Sequence, residues 1–445
     1  MTALLRVESA AKYSVAILLP LALFTATYRL AFHPLRTYPG PFIAKLTDAY
    51  GGYQVKRKRL HLQAHSDLSK YGPVYRQGPN RLVFNTVAAL RDISRHPSIR
   101  KSHVYSFTSF TPTPHVLGTV DPEPHRMKRN VYGRALSGHV YMAWPAIRAL
   151  NRIVMLFNMP KLLTGARLLK NIIKRRAAME ESSGRHDFWA VASTSHQEHD
   201  LTTPNSIEKS HVWAEALFFF PAGGQTTSCA LSAAFFYLSR HPFVYARLAA
   251  EVRDVFSDGS LIQGGPQLLS CKYLRAVIDE TLRMSPPTTV MPWREVDRHL
   301  SSKEPCVIDG HVVPGGTLVA ISAYCLMHNK AYFPEPFAFR PERWLDDTDP
   351  DRLARMAEAF IPFSVGDTMC LGKTMAYMEM SLVLAKTLWY FDFKQAPGEA
   401  GKLGGGNPEG WDGALRGRVD EFQLYDAFVG QHNGPNLTFI PRKEL

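Results

Sequence analysis

A single cysteine on a glycine-flanked turn, directly ahead of a long helical run, constrains this chain more than any other stretch. It lies in Pro362-Phe363-Ser364-Val365-Gly366-Asp367-Thr368-Met369-Cys370-Leu371-Gly372. From Lys373 to Leu388 apolar residues recur at helical spacing, at Met375, Met378, Leu382, Ala385 and Leu388, which predicts a helix with Cys370 at its N-terminus. Unpaired N–H groups and the helix dipole favour a thiolate there. Cys370 is therefore a candidate metal ligand, with a buried structural cysteine after a tight turn as the rival reading.

The order F-x-x-G-x-x-x-C-x-G, formed by Phe363, Gly366, Cys370 and Gly372, resembles the haem-binding loop of the cytochrome P-450 family, the haem-thiolate monooxygenases. The resemblance implies a mainly α fold with small β-sheets, and haem b with Cys370 as the axial thiolate. The family usually has arginine at the position of Thr368, where it pairs with a haem propionate. Thr368 offers only a hydroxyl, so weaker haem retention is expected.

With 445 residues and 45% hydrophobic content, the chain can bury a large core, and its even composition marks no seam between domains. The net charge of +13 raises the question of nucleic acid. The basic residues are dispersed, however, without the aromatic interleaving or zinc spacing of nucleic-acid modules. An anionic membrane surface or an acidic electron-donor protein fits the charge better. The cysteines (Cys229, Cys271, Cys306, Cys325, Cys370) are scattered, odd in number and free of C-x-x-C pairs, which argues for a reducing compartment.

Tyr13 to Tyr28 is an uncharged apolar run bounded by Lys12 and Arg29, a little short of the roughly 20 residues of a bilayer span. The prolines of His33 to Phe42 predict a stiff, extended connector. This arrangement resembles the anchor and hinge of microsomal family members. The expected organisation is a membrane anchor over residues 1–32, a hinge over 33–42 and a haem-thiolate monooxygenase domain over 43–445. That implies a single-pass protein of the endoplasmic reticulum membrane with its body in the cytosol; a cleaved signal peptide is the alternative.

Tyr71 to Arg76 and Arg81 to Asn85 read as strands of a hairpin around Gly78-Pro79-Asn80. Ser102 to Gly118 is expected to be a loop too irregular for a helix. By resemblance it roofs the substrate pocket with Phe107 and Phe110. His125 and Arg129 share a face of a basic helical segment, and in the family that pair points at a haem propionate. Between Gly138 and His211 the interval is shorter than the family normally needs, and a middle helix or two is expected to be missing.

Val212 to Leu238 is the most apolar internal run, with Ala222-Gly223-Gly224-Gln225-Thr226-Thr227 at its middle. Two mid-helix glycines cost about 1 kcal/mol each relative to alanine, which predicts close approach of another group. Pro221 is expected to kink this helix. By resemblance Thr226 supplies the hydroxyl for proton delivery to dioxygen, and Gln225 stands where the family has an acid. Glutamine orients water but cannot ionise. A helix is expected from Gln267 to Met284, on which Glu280 and Arg283 pair at i, i+3 spacing. In the family these lock architecturally to a later arginine, here Arg343. Glu295 to Arg298 repeats the spacing in what reads as a turn. Arg294 matches a propionate-contacting position, and His311 to Thr317 reads as a hairpin turn feeding the stretch Leu318 to Tyr324.

The resemblance implies insertion of one oxygen atom of O2 into a lipophilic small molecule, with NADPH-derived electrons from a membrane flavoprotein reductase. Phe107, Phe110, Phe219, Ala222, Val290 and Phe428 are the expected substrate-pocket residues. The chain's general look resembles fungal members that tailor secondary metabolites. Two alternatives stay open: a truncated or decayed paralogue that binds haem poorly or is inactive, and a haem-thiolate isomerase or dehydratase that needs no electron donor.

Overall fold

In the computed structural model the described residues are 16–108, 120, 171, 175, 211–345 and 349–442. The chain enters through a helix over residues 16–27 (α1), which continues as a π-helical turn, Tyr28–Phe32. Ile17, Leu18, Leu19, Leu21, Leu23 and Phe24 are exposed on it. Among the described residues no helix is long and apolar enough to cross a membrane; the expected run from Tyr13 starts outside them.

The following connector is not the extended spacer that its prolines predict. It makes turns, with Arg36 N–H donating to His33 O (2.9 Å) and Tyr38 N–H to Leu35 O (3.2 Å), and it buries Leu35 and Tyr38. Arg76 explains the difference, because its backbone N–H donates to Pro39 O (2.7 Å) and its guanidinium to Leu35 O (3.4 Å).

Short helices α2 (Phe42–Leu46) and α3 (Ala49–Lys56) lead to α4 (Leu60–Tyr71) and the expected hairpin, β1 (Val74–Gly78) and β2 (Arg81–Phe84). Then come α5 (Val87–Arg95), β3 (Ile99–Lys101) and a 3₁₀ turn, His103–Thr108. That turn corrects the expectation of an irregular loop for its first part: Ser106 Oγ bonds back to His103 O at 2.8 Å. Phe110 and the remainder of that loop lie outside the described residues, as do His125 and Arg129 and the interval from Gly138 to Ser210, apart from isolated positions.

The second half opens with a 30-residue helix, α6 (His211–Arg240), which runs unbroken through Pro221, so the kink expected there does not interrupt it. After α7 (Pro242–Val255), the helix predicted from Gln267 divides into a turn, Pro266–Leu269, and α8 (Lys272–Met284). Glu251 of α7 creates the new start by accepting the N–H groups of Tyr273 and Leu274 (both 2.8 Å). The stretch Glu295 to Arg298, which reads as a turn, is instead the end of strand β4 (Arg294–Val296), the cap Asp297 and the first residue of α9 (Arg298–Lys303). Asp297 caps it, accepting from His299 N–H (2.7 Å) and Leu300 N–H (2.9 Å).

Strands β5 (Cys306–Ile308) and β6 (His311–Val313) form their own hairpin. The tight turn is therefore Asp309–Gly310, both at positive φ, and Pro314 to Thr317 instead carries the chain to β7 (Leu318–Ile321) in another sheet. That five-stranded sheet has the order β1-β2-β7-β4-β3, with β2 and β7 parallel and the other pairs antiparallel. Helices α10 (Ala323–Met327) and α11 (Pro350–Ala359) precede the cysteine segment.

Helix α12 (Lys373–Tyr390) follows it and turns directly into β8 (Phe391–Gln395), which pairs with β9 (Leu437–Pro441). Helices α6, α7, α8 and α12 enclose one core around Tyr237, Leu248, Val277 and Leu384. The buried face of α12 is Tyr377, Met380, Leu384, Ala385 and Leu388, and the predicted Met375 and Met378 are 37% and 47% exposed. Tyr377 sets this rotation, since its hydroxyl donates to Asp279 Oδ1 on α8 at 2.6 Å.

Candidate active site

The segment before α12 is shaped by two backbone reversals, Ser364 at φ +58° and Gly366 at φ +62°. A Cβ on Gly366 would meet nothing closer than 3.6 Å, so the left-handed backbone, rather than crowding, accounts for glycine there. A 3₁₀ turn, Gly366–Thr368, follows, and Cys370 N–H donates to Phe363 O at 2.8 Å, closing the loop. The Phe363 ring packs on Tyr377 with centroids 5.2 Å apart. Gly372 is the N-cap of α12, and a Cβ built on it would lie 3.8 Å from Cys370 Sγ. Cys370 thus lies just ahead of the N-cap of an 18-residue helix, the helix N-terminus that the sequence predicts.

Cys370 also differs from the other cysteines. Cys229, Cys271, Cys306 and Cys325 are buried. Burial pushes their thiols up to about 12, 11, 11 and 12, which keeps them protonated and inert. Cys370 alone is half-exposed.

Arg294, on β4, reaches this loop: its Nη2 donates to Thr368 Oγ1 at 2.6 Å. The expected propionate-binding arginine and the residue expected to leave that task undone are therefore side by side.

On α6, Ala222 is half-buried, and Cβ atoms built on Gly223 and Gly224 meet nothing within 4 Å. The close approach that the double glycine predicts is therefore not made by any part of the protein among the described residues, and the helix surface there is open. Thr226 Oγ1 donates to Ala222 O of its own helix at 2.6 Å. Gln225 is exposed and borders a cleft of about 590 Å³ that it shares with Lys58, Ser228, Tyr425, Gln431 and His432.

The pocket candidates from distant segments come together in part. Thr288 bridges Val429, and Gly430 N–H donates to Pro287 O at 2.7 Å. Val290 is buried in the apolar cluster against which Phe428 packs. Phe219 is half-buried on α6, and Phe107 falls in the 3₁₀ turn.

Glu280, Arg283 and Arg343 form the expected lock, at 0%, 0% and 2% side-chain exposure. Arg283 donates through Nε and Nη2 to the two carboxylate oxygens (both 2.9 Å), and Arg343 Nε donates to Oε1 at 3.0 Å. Sequence reasoning missed two further donors, Trp344 Nε1 (3.0 Å) and Arg340 N–H (2.9 Å). Burial acts to raise the Glu280 carboxyl, but Arg283 and Arg343 outweigh it and hold it below the usual range. Also missed was Asp279, which accepts from Tyr377 and, at 2.8 Å, from Arg275 Nε. Its only sequence signal is i, i+4 spacing from Arg275.

A sequence model of the cytochrome P-450 family matches residues 156–404. The chain is 30% identical to the cytochrome P-450 monooxygenase AKT7 of Alternaria alternata, over 93% of this chain and 94% of that protein. It is 29% identical to apf7 of Gibberella fujikuroi, also a cytochrome P-450 monooxygenase, over 96% and 98%. A third monooxygenase, apf8 of the same fungus, is 40% identical over 54% of this chain and 62% of its own length. A mainly helical body with small sheets, a cysteine loop at a helix N-terminus and these matches define a haem-thiolate protein. The chain belongs to the cytochrome P-450 family.

Family membership implies haem held through a cysteine thiolate as the cofactor, with NADPH electrons arriving through a reductase in the general arrangement. The donor set fits it, with one half-exposed thiol at a helix N-terminus, the Arg294 guanidinium bonded to Thr368 of the same loop and two open glycine positions on α6. The alignment with AKT7 extends over 499 positions, more than the 445 residues of this chain. The relative therefore carries internal residues that have no counterpart here.

Proposed function

We propose that this chain is a monooxygenase that transfers one oxygen atom of O2 to a lipophilic small molecule in fungal secondary metabolism, using NADPH electrons from a membrane flavoprotein reductase. The observation that carries the reading is Cys370, the one half-exposed thiol among five, closed into a loop by its hydrogen bond to Phe363 O and placed just ahead of the N-terminus of α12. When bound, haem supplies the activation of dioxygen.

The residues of the chain do the rest. Cys370 provides the thiolate ligand, just ahead of α12. Arg294 provides a cation for a propionate, with Thr368 as its hydrogen-bonding neighbour. Gly223 and Gly224 leave room above α6. Thr226, whose O–H donates to Ala222 O, offers its lone pairs to a water or ligand hydroxyl and can relay a proton by rotating. Gln225, turned to the outer cleft, orders water there without ionising. Phe363, Gly366 and Gly372 shape the loop. His125 and Arg129 are assigned to the haem edge, and Phe107, Phe110, Phe219, Ala222, Val290 and Phe428 to the substrate pocket. Glu280, Arg283 and Arg343 brace the fold. Residues 1–32 are assigned as a membrane anchor of the endoplasmic reticulum, 33–42 as its packed hinge and 43–445 as the cytosolic catalytic body.

The test is a reduced, carbon-monoxide-bound spectrum of microsomes expressing the chain. A thiolate-shifted Soret band is expected, followed by NADPH-dependent product formation with a reductase present. Absence of the band sinks the reading. A second reading, a decayed paralogue that holds haem poorly, draws on the internal residues that AKT7 has and this chain lacks. It predicts a band that fades on purification.

A further inference from the structure

We infer that Thr289 is a positioning residue for substrate selection, acting through Asp426 on the tip of the C-terminal hairpin. The inference rests on the reading of Val290 and Phe428 as pocket residues.

The segment from Tyr425 to Gln431 folds back on itself, with Tyr425 N–H donating to Gln431 O (2.7 Å) and Gln431 N–H to Tyr425 O (2.9 Å). Phe428 lies at its tip with φ +78°, a backbone region that costs an L-residue on the order of 1–2 kcal/mol. Such a conformation persists only where the surroundings over-determine it, and here they do.

Inside, Thr289 Oγ1 donates to Asp426 Oδ1 at 2.8 Å, with the two residues 2% and 1% exposed. The Thr288–Val429 bridge and the bond from Gly430 N–H to Pro287 O continue the attachment on the same side. Outside, Asp426 N–H donates to Lys58 O (2.8 Å), and Lys58 Nζ donates to Gln431 Oε1 (2.6 Å). Lys58 is itself at φ +54°. Thr289 immediately precedes Val290, so one hydroxyl fixes the register between the segment presenting Val290 and the turn presenting Phe428. The hairpin is a rigid wall, and its distance from Val290 is set by a buried polar contact rather than by apolar packing alone.

Thr289→Val keeps the shape and deletes the donor. In haem-loaded protein, optical titration with imidazole and with a phenyl-substituted imidazole reads ligand discrimination without turnover. The Thr289→Val protein is expected to keep its thiolate-shifted carbon-monoxide band and to change the ratio of the two affinities by about fivefold, the equivalent of one buried hydrogen bond. Thr289→Ser should behave as wild type. Combined with Phe428→Leu, the effect should be non-additive. An unchanged ratio with haem intact, or strict additivity with Phe428→Leu, overturns the proposal. If Thr289→Val loses haem, Asp426→Asn decides: an altered ratio supports positioning, whereas an unaltered ratio with normal haem assigns the pair to folding and overturns it. A wild-type protein with no thiolate-shifted band is a different failure, that of the monooxygenase reading, and the inference falls with it.

Discussion

Arg294 Nη2 and Thr368 Oγ1 lie 2.6 Å apart, joining strand β4 of the five-stranded sheet to the cysteine loop. Thr368→Val removes the acceptor while keeping the shape of the loop. A neutral hydrogen-bond partner is worth about 0.5–1.5 kcal/mol. Haem affinity should fall by several-fold, measured as haem retained per protein after gel filtration. Unchanged retention would show that Arg294 does not need its neighbour.

Cys370→Ser should abolish the thiolate-shifted band and leave the fold standing. The side chain is half-exposed, and substitutions of that kind usually shift stability by no more than about 0.5 kcal/mol. Thermal melts of the haem-free proteins, compared side by side, check the second half of this expectation.

Gly224→Ala should separate fold from cofactor in the opposite direction. The added methyl meets nothing in the protein, and alanine in a helix interior gains about 1 kcal/mol over glycine. The apo-protein should melt at a higher temperature while binding haem more weakly, because the methyl occupies the surface assigned to haem. Tighter haem binding would place haem elsewhere.

Arg343→Ala strips one of two guanidiniums from a fully buried carboxylate. Breaking a buried pair from one side costs about 3–5 kcal/mol, a large part of the stability of an ordinary domain. The variant is expected in the insoluble fraction. Glu280→Gln, which leaves two buried guanidiniums facing a neutral amide, should follow it.

His65 gives the pH dependence its sign. Burial, with help from the Arg418 charge, lowers its pKa to about 4, and burial holds His328 well below its ordinary value. Both rings are neutral when folded and protonate near 6.5 when unfolded, so their contribution is complete above that pH and is lost as pH falls toward 4. His65 alone should cost on the order of 2 kcal/mol at pH 5. Glu421, whose carboxyl is raised by burial, contributes with the opposite sign. The decisive comparison is therefore the slope of the urea midpoint between pH 7 and pH 5 in wild type against His65→Gln, which should be flatter.

Local pattern made several elements legible. The apolar run of α6, the helix after Cys370 and the β1–β2 hairpin follow from periodicity and turn residues, and the structure has all three. The partners Glu280, Arg283 and Arg343 were assigned by family resemblance, since 63 positions separate Glu280 from Arg343. What stayed illegible was set by contacts between segments. Glu251 moved the start of α8, Arg76 folded the connector, and Tyr377 turned α12 so that Met375 and Met378 face outward. Resemblance placed both Arg294 and Thr368 at the propionate edge, but the direct bond between them was hidden for the same reason: only the folded sheet brings Arg294 Nη2 onto Thr368 Oγ1.

The packing of Phe363 on Tyr377, whose hydroxyl is bonded to Asp279 beside Glu280, bears on time rather than on affinity. A loop fastened to the core by this chain of contacts has no low-energy way to open by itself. The amide proton of Cys370, held by Phe363 O, should exchange with solvent at the pace of the helical interior and not at that of a surface turn. The ligand sulfur then keeps its place for as long as the whole body stays folded, and residence of the cofactor and lifetime of the native state become one clock.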